Sequence, residues 1–176
     1  SARLDRGEGA RVERQTIDAE EFFDQLEEDL RQRAERDLAS VEFVRGRLPE
    51  QLELDPDGTL RIAWNLFENA LRYGRVDGQP AHVRVAVEER GGVLSIVVHD
   101  RGPGVPARFA RTVFEPFERA AAEDNGPTGT GLGLSIVRAI AQAHGGDAEL
   151  LPSDHGARFE ARLATSGSDD EGEPAA

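Results

Sequence analysis

The sequence predicts an α+β domain, on three observations. Three stretches carry apolar residues at intervals of three and four, and several short stretches alternate apolar with polar residues. Two of the alternating stretches are joined by Glu89-Arg90-Gly91-Gly92, the signature of a hairpin. The length, 176 residues, suits one compact domain with a short appendage, at about 100–150 residues per domain.

Taken in order, residues 1–15 are charged with almost no apolar anchor and read as a tail or the end of something longer. A helix is predicted over 18–38, where Asp18 can cap, Glu21 follows three residues on, and Phe22, Leu26, Leu30, Ala34 and Leu38 recur every four. Residues 41–44 and 52–54 alternate as short strands, the second leading into a turn at Asp55-Pro56-Asp57-Gly58. A second helix is predicted over 59–73, with Leu60, Ala63, Trp64, Phe67, Ala70 and Leu71 on one side and Gly74 as its stop. Residues 82–88 and 93–99 are the hairpin strands.

Residues 100–130 break the pattern, being glycine, proline, arginine and acidic residues around a small apolar island at Val113, Phe114 and Phe117. A connection of that length inside a small domain is a functional lid or a disordered segment. A strongly apolar helix over 132–144 and a closing hairpin over 147–151 and 156–163 follow, and 165–176 is an acidic tail.

Composition excludes several classes. With no cysteine there is no disulfide scaffold, thiolate metal site or cysteine nucleophile. No run approaches the roughly 18 apolar residues of a membrane span, so the segment is expected not to be membrane-embedded. A net charge of −13 repels phosphates at long range and argues against a nucleic-acid partner, so a polyphosphate must be held by a local site. The chain has no lysine, so any cation on a phosphate is a guanidinium, able to grip two oxygens at once. It also has no methionine, from which we expect a part of a larger parent.

Four motifs carry chemistry. In Asn65-Leu66-Phe67-Glu68-Asn69-Ala70-Leu71-Arg72-Tyr73, helical spacing puts Asn65, Asn69, Arg72 and Tyr73 on one face. A single asparagine there is usually just solvated; two beside an apolar helix are less easily dismissed. Asp100-Arg101-Gly102-Pro103-Gly104 ends a Val/Ile strand with a carboxylate and a turn that a ligand can approach, though a capped glycine turn explains it equally well alone. Thr128-Gly129-Thr130-Gly131-Leu132-Gly133-Leu134 opens the apolar helix, where free amides and the dipole favour an anion. It lacks the lysine of a Walker loop and follows a lid instead of a strand, so the dinucleotide fingerprint does not fit. Phe114-Glu115-Pro116-Phe117 lies within the lid and reads at minimum as an apolar peg.

In this order the four stretches resemble the N box, first glycine box, F box and second glycine box of the ATP-binding catalytic domain of bacterial sensor histidine kinases, in the superfamily shared with gyrase, MutL and a heat-shock chaperone. Ala143-His144-Gly145-Gly146 resembles the usual helix exit, and Ala2-Arg3-Leu4-Asp5-Arg6-Gly7 the last turn of a dimerisation helix. The resemblance implies a division into 1–16 (end of dimerisation helix and linker), 17–164 (ATP-binding catalytic domain) and 165–176 (flexible tail). It implies a two-layer α/β sandwich, a mixed, mainly antiparallel sheet with helices on one face and ATP under a lid.

It also implies roles. Asn69 would ligate Mg2+, Asn65 would support that site, and Arg72 would reach a phosphate. Tyr73 would pack on the nucleotide and Asp100 would accept from the adenine amino group, with Gly102 and Gly104 allowing close approach. Thr128, Gly129, Thr130, Gly131, Leu132 and Gly133 would shape the lid exit and triphosphate cradle, and Arg119 would steady the transferring phosphoryl group. The implied reaction moves the ATP γ-phosphoryl group to a histidine on the parent's dimerisation domain, and thence to a response-regulator aspartate. The implied parent is a cytoplasmic or membrane-anchored homodimer. His82, His99, His144 and His155 lack the acceptor context and read as structural or surface residues. A gyrase-type ATPase is the competing reading, but its water-activating glutamate position is held here by Asn65, and Glu68 points about 100° away from Asn69. A non-catalytic nucleotide-binding or docking module is the third.

Overall fold

The computed structural model describes residues 11–116 and 132–165. The chain runs β1 (Gln15–Asp18), α1 (Ala19–Arg36), β2 (Ser40–Arg45), β3 (Gln51–Leu54), α2 (Pro56–Tyr73), β4 (His82–Arg90), β5 (Val93–Asp100), a short 3-10 turn (Ala107–Phe109), α3 (Gly133–Ala143), β6 (Asp147–Leu151) and β7 (Arg158–Ala164).

Five strands form one sheet in the order β2-β4-β5-β7-β6, with β2 parallel to β4 and every other pair antiparallel. Alternation along the strands decides which face is covered. Val83, Val85 and Val87 of β4, Leu94, Ile96 and Val98 of β5, and Phe159, Ala161 and Leu163 of β7 are buried, while Arg84 and Arg158 are exposed and His99 is half-buried. The helices lie on the apolar face, presenting Phe23, Leu26 and Leu30 from α1, Ile62, Leu66 and Phe67 from α2, and Val137 and Ile140 from α3. This is the two-layer α+β sandwich that the resemblance implies. Each large side chain so buried contributes about 1.5–3 kcal/mol.

The helix ends are locally specified. Asp18 accepts from the Glu21 amide (2.9 Å), as its spacing predicts. The end of α1 is a Schellman turn, Leu38 N–H donating to Glu35 O and Ala39 N–H to Ala34 O, which puts Leu38 at φ 56° with its side chain 81% exposed. The end of α3 is the same turn built with Gly145 at φ 75°, and this accounts structurally for Ala143-His144-Gly145-Gly146.

Two expectations need correction and one a refinement. Residues Asp55-Pro56-Asp57-Gly58 are not a separate turn. Asp55 is the N-cap of α2, accepting from Gly58 N–H (3.1 Å), and Pro56 starts the helix, where its missing N–H costs nothing. Gly74 does close α2, donating to Ala70 O, but at φ −82°, so space and not left-handed backbone demands a glycine there. Finally, β1 pairs antiparallel with β3 in a small second sheet, although its sequence had read as the junction of a tail with a helix.

Candidate functional site

The site forms where α2 ends, β5 ends and α3 begins. Asp100 lies on the helix-facing side at the last position of β5 and is 2% exposed. Its Oδ1 accepts from Gly102 N–H (2.9 Å) and Ala157 N–H (3.2 Å), while its own amide donates to Ala157 O (3.0 Å). Oδ2 has no partner among the described residues. Burial pushes this carboxyl above the usual carboxylate range, against the opposing pull of the two amides and of nearby His99.

Glycines let the backbone close around Asp100. A Cβ on Gly102 would stand 2.6 Å from Tyr73 O, and one on Gly74 would stand 2.7 Å from Asp100 Cβ. Those contacts bring the Asp-x-Gly-x-Gly turn against the end of α2. Gly104 has φ 78° and lies beside Gly156, from whose carbonyl oxygen a Cβ would be 3.0 Å. Sequence reasoning missed Gly156. It has φ 69°, a Cβ on it would fall 1.9 Å from Asp100 O, and it positions the next residue, Ala157, to donate to Asp100. Its only signal was a glycine just ahead of the last strand.

On α2, Asn65 donates through Nδ2 to Arg61 O (2.8 Å), and its Oδ1 faces α3, 3.2 Å from where a Gly133 Cβ would be. Asn69, Arg72 and Tyr73 are half-buried, and no side-chain hydrogen bond or ion pair to them occurs among the described residues. Glu68, one residue from Asn69, is occupied elsewhere: its carboxylate takes two bonds from Arg33 of α1 (2.8 and 3.2 Å). The α3 N-terminus starts at Gly133 after Leu132, with no side-chain cap and no acidic residue in its first turn, so among the described residues no side chain compensates its amides and positive dipole end.

The structure therefore brings three of the four predicted motifs together: Tyr73 and Gly74 against Gly102, and Asn65 against Gly133. The fourth is displaced toward the sheet. Phe114 is buried edge-on against Phe159 of β7 (centroids 5.8 Å apart), with the Arg138 guanidinium 5.1 Å from its ring centre. That is the apolar peg expected of it. Phe117, Arg119, Thr128, Gly129, Thr130 and Gly131 lie outside the described residues.

For a divalent ion, the described residues contain no group of three or more His, Asp or Glu able to hold one. The donor set near the α3 N-terminus is amide, not carboxylate. It fits a hard cation taken up mainly through phosphate oxygens and water with one protein oxygen, which Asn69 can supply.

The chain belongs to the family described as histidine kinase-, DNA gyrase B- and HSP90-like ATPases, whose signature matches residues 54–167. Within it, the similar proteins are sensor kinases. The sensor protein CutS of Streptomyces coelicolor is 38% identical over 156 residues, 87% of this chain and 36% of CutS. The histidine-protein kinase/phosphatase MprB of Mycobacterium tuberculosis is 34% identical over 154 residues, 87% of this chain and 29% of MprB. The solved mycobacterial sensor histidine kinase MprB superposes with a TM-score of 0.67 at 26% identity, over 85% of this chain and 97% of that one. The kinase ThkA in complex with response regulator protein TrrA has the same fold, with a TM-score of 0.70 at 19% identity over 88% of this chain and 42% of that one. The chain spans about a third of the length of the curated relatives it matches.

Proposed function

We propose that this chain is the ATP-binding catalytic domain of a two-component sensor histidine kinase. The observation that carries the reading is Asp100: one carboxylate oxygen is consumed by two backbone amides and the other is left for a donor such as the adenine amino group. From that point Tyr73 packs on the nucleotide, with Gly102 and Gly104 allowing its approach. Arg72 and the amides opening at Gly133 receive the phosphates, and Asn69 offers its carbonyl oxygen to Mg2+. Mg2+, when bound, offsets charge on the β- and γ-phosphates. Arg119 and residues 128–131 complete the cradle in this reading. Residues 1–16 bring in the dimerisation domain in this reading. Thr165, expected to open the tail, is instead buried, its amide donating to Gly92 O (2.9 Å).

In the proposed reaction the bond from the γ-phosphorus to the ADP oxygen breaks as a phosphorus–nitrogen bond forms to an acceptor imidazole, which gives up its N–H proton. The protein contributes position and charge compensation. The acceptor belongs to a dimerisation domain in the parent chain. His82 and His99 lie on the exposed sheet face, bonded to Ser40 and to Ser153 and His155 O, and His144 is buried. From the acceptor the phosphoryl group passes to a response-regulator aspartate, a partner class that the ThkA complex exemplifies. The parent is proposed as a homodimer with this domain in the cytoplasm; no described helix is long and apolar enough to cross a membrane.

Calorimetry and thermal melting test the reading. Mg-ATP should raise the melting temperature, since ligand at about 100 times Kd adds roughly 2.7 kcal/mol. In Asn69→Ala, a chelator should no longer weaken ATP binding as it does in the parent. No shift at millimolar Mg-ATP refutes the function, and a full Mg2+ effect in Asn69→Ala moves the metal ligand elsewhere.

A further inference from the structure

Helices α2 and α3 run antiparallel, and three contacts define their register: Asn65 faces Gly133, Gly58 faces Ile140, and Asp55 faces His144. The first contact is at the site. The last is at the opposite end of both helices and involves a histidine that the proposed reaction does not use. His144 is fully buried at the C-cap of α3. Its Nδ1 bonds to Ile140 O (2.9 Å) and its Nε2 to the Asp55 amide (3.4 Å). A carbonyl can only accept and an amide N–H can only donate, so the ring is neutral with its proton on Nδ1. Gly58 makes room for it, a Cβ there falling 3.1 Å from His144 Cε1. Asp55 is itself held, by Gly58 N–H at Oδ1 and by Glu13 N–H of the entering segment at Oδ2 (3.3 Å).

We propose that His144 is a positioning residue that sets the α2–α3 register and thereby holds the Gly133 end of α3 opposite the asparagine face of α2. Both helices carry buried apolar side chains, Ile62, Ala63 and Leu66 on α2 and Val137, Ile140 and Ala141 on α3. Apolar burial is non-directional and tolerates sliding. A slip of one residue displaces a helix by about 1.5 Å, enough to part Asn65 from Gly133. The imidazole, bonded to both helices at once, supplies the directional contact that blocks the slip. The consequence for ligand binding rests on the proposed function, which places phosphates at this end.

The test uses His144→Leu, which loses both ring bonds, and His144→Gln, whose amide oxygen can still accept from Asp55. In the nucleotide-free protein, the NMR signals of the Gly133 amide and the Asn65 side-chain amide should move in His144→Leu and return toward parental positions in His144→Gln. ATP affinity in His144→Leu should fall at least fivefold more than adenosine affinity, because adenosine engages Asp100 and not α3. Unmoved Gly133 and Asn65 signals in His144→Leu overturn the proposal, as does equal weakening of ATP and adenosine. Should His144→Leu not fold, nitrogen-15 spectra of the parent imidazole decide: a proton on Nδ1 is expected, and one on Nε2 overturns the geometry. If the parent binds neither ligand, the kinase reading falls, while the nucleotide-free spectra still decide the role of His144.

Discussion

In the proposed function the two oxygens of Asp100 do different work, Oδ1 in the fold and Oδ2 in binding, so a single change separates folding from binding. Asp100→Asn keeps an oxygen to accept from Gly102 and Ala157 but turns an NH2 toward the adenine donor. A hydrogen bond to a charged group contributes about 1.5–3 kcal/mol, so calorimetry should show ADP affinity falling by one to two orders of magnitude. The nucleotide-free melting temperature should hold or rise, because the variant no longer buries a charge. The raised pKa also has a sign that can be followed. Folding disfavours the ionised form, so the contribution of Asp100 to stability is greatest in acid and is lost as pH rises from the ordinary carboxylate range through the raised value. Binding runs the opposite way, since only the carboxylate accepts at Oδ2. Adenine affinity should therefore fall on acidification at a higher pH than an ordinary aspartate would produce, and Asp100→Asn should flatten that profile.

At the scale of elements, α1 is tied to α2 by the Arg33–Glu68 pair, and this distinguishes two chemistries. A water-activating glutamate must have its carboxylate free to face the phosphates; Glu68 is paired on the α1 side. Glu68→Gln should cost no more than the roughly 0.2–1 kcal/mol of a partly exposed ion pair and, under the proposed function, leave ATP turnover by the isolated domain at the parental rate. A collapse of turnover in Glu68→Gln, measured by phosphate release, would favour the gyrase-type ATPase reading. Most elements were legible because their causes are local. Asp18 capping α1, the Gly91-Gly92 turn between β4 and β5 with φ 58° and 78°, and the apolar rows of α2 and α3 each follow from a few adjacent residues. The start of α2 was misread because Pro and Gly are turn residues in general, and only the Asp55 cap turns them into a first helical turn.

Across the whole molecule, the ends of the described chain are fastened to each other. Arg14 Nη1 donates to Ala164 O (2.7 Å) and Glu53 O (3.2 Å), and Ala164 N–H donates to His144 O. One guanidinium thus joins β1, the end of β3 and the end of β7, across 150 residues of sequence. Arg14→Ala removes one part-buried and one exposed hydrogen bond to backbone carbonyls and should lower unfolding free energy by about 1–2 kcal/mol in chemical denaturation, while Arg11→Ala, whose ion pair with Glu13 is exposed, should leave it unchanged. The sequence by itself determined the helices, the hairpin strands, the order of the motifs and Asp100 as the carboxylate at a strand end, because periodicity, caps and turn residues act within a few positions. Only the tertiary structure decided that β1 pairs with β3, that β2 lies parallel to β4, that Gly156 supports Asp100, and that His144 reaches Asp55. Each of these joins residues distant in the chain through hydrogen bonds or close backbone approach, and no local pattern encodes which distant partner a strand edge, a glycine or a buried ring will meet.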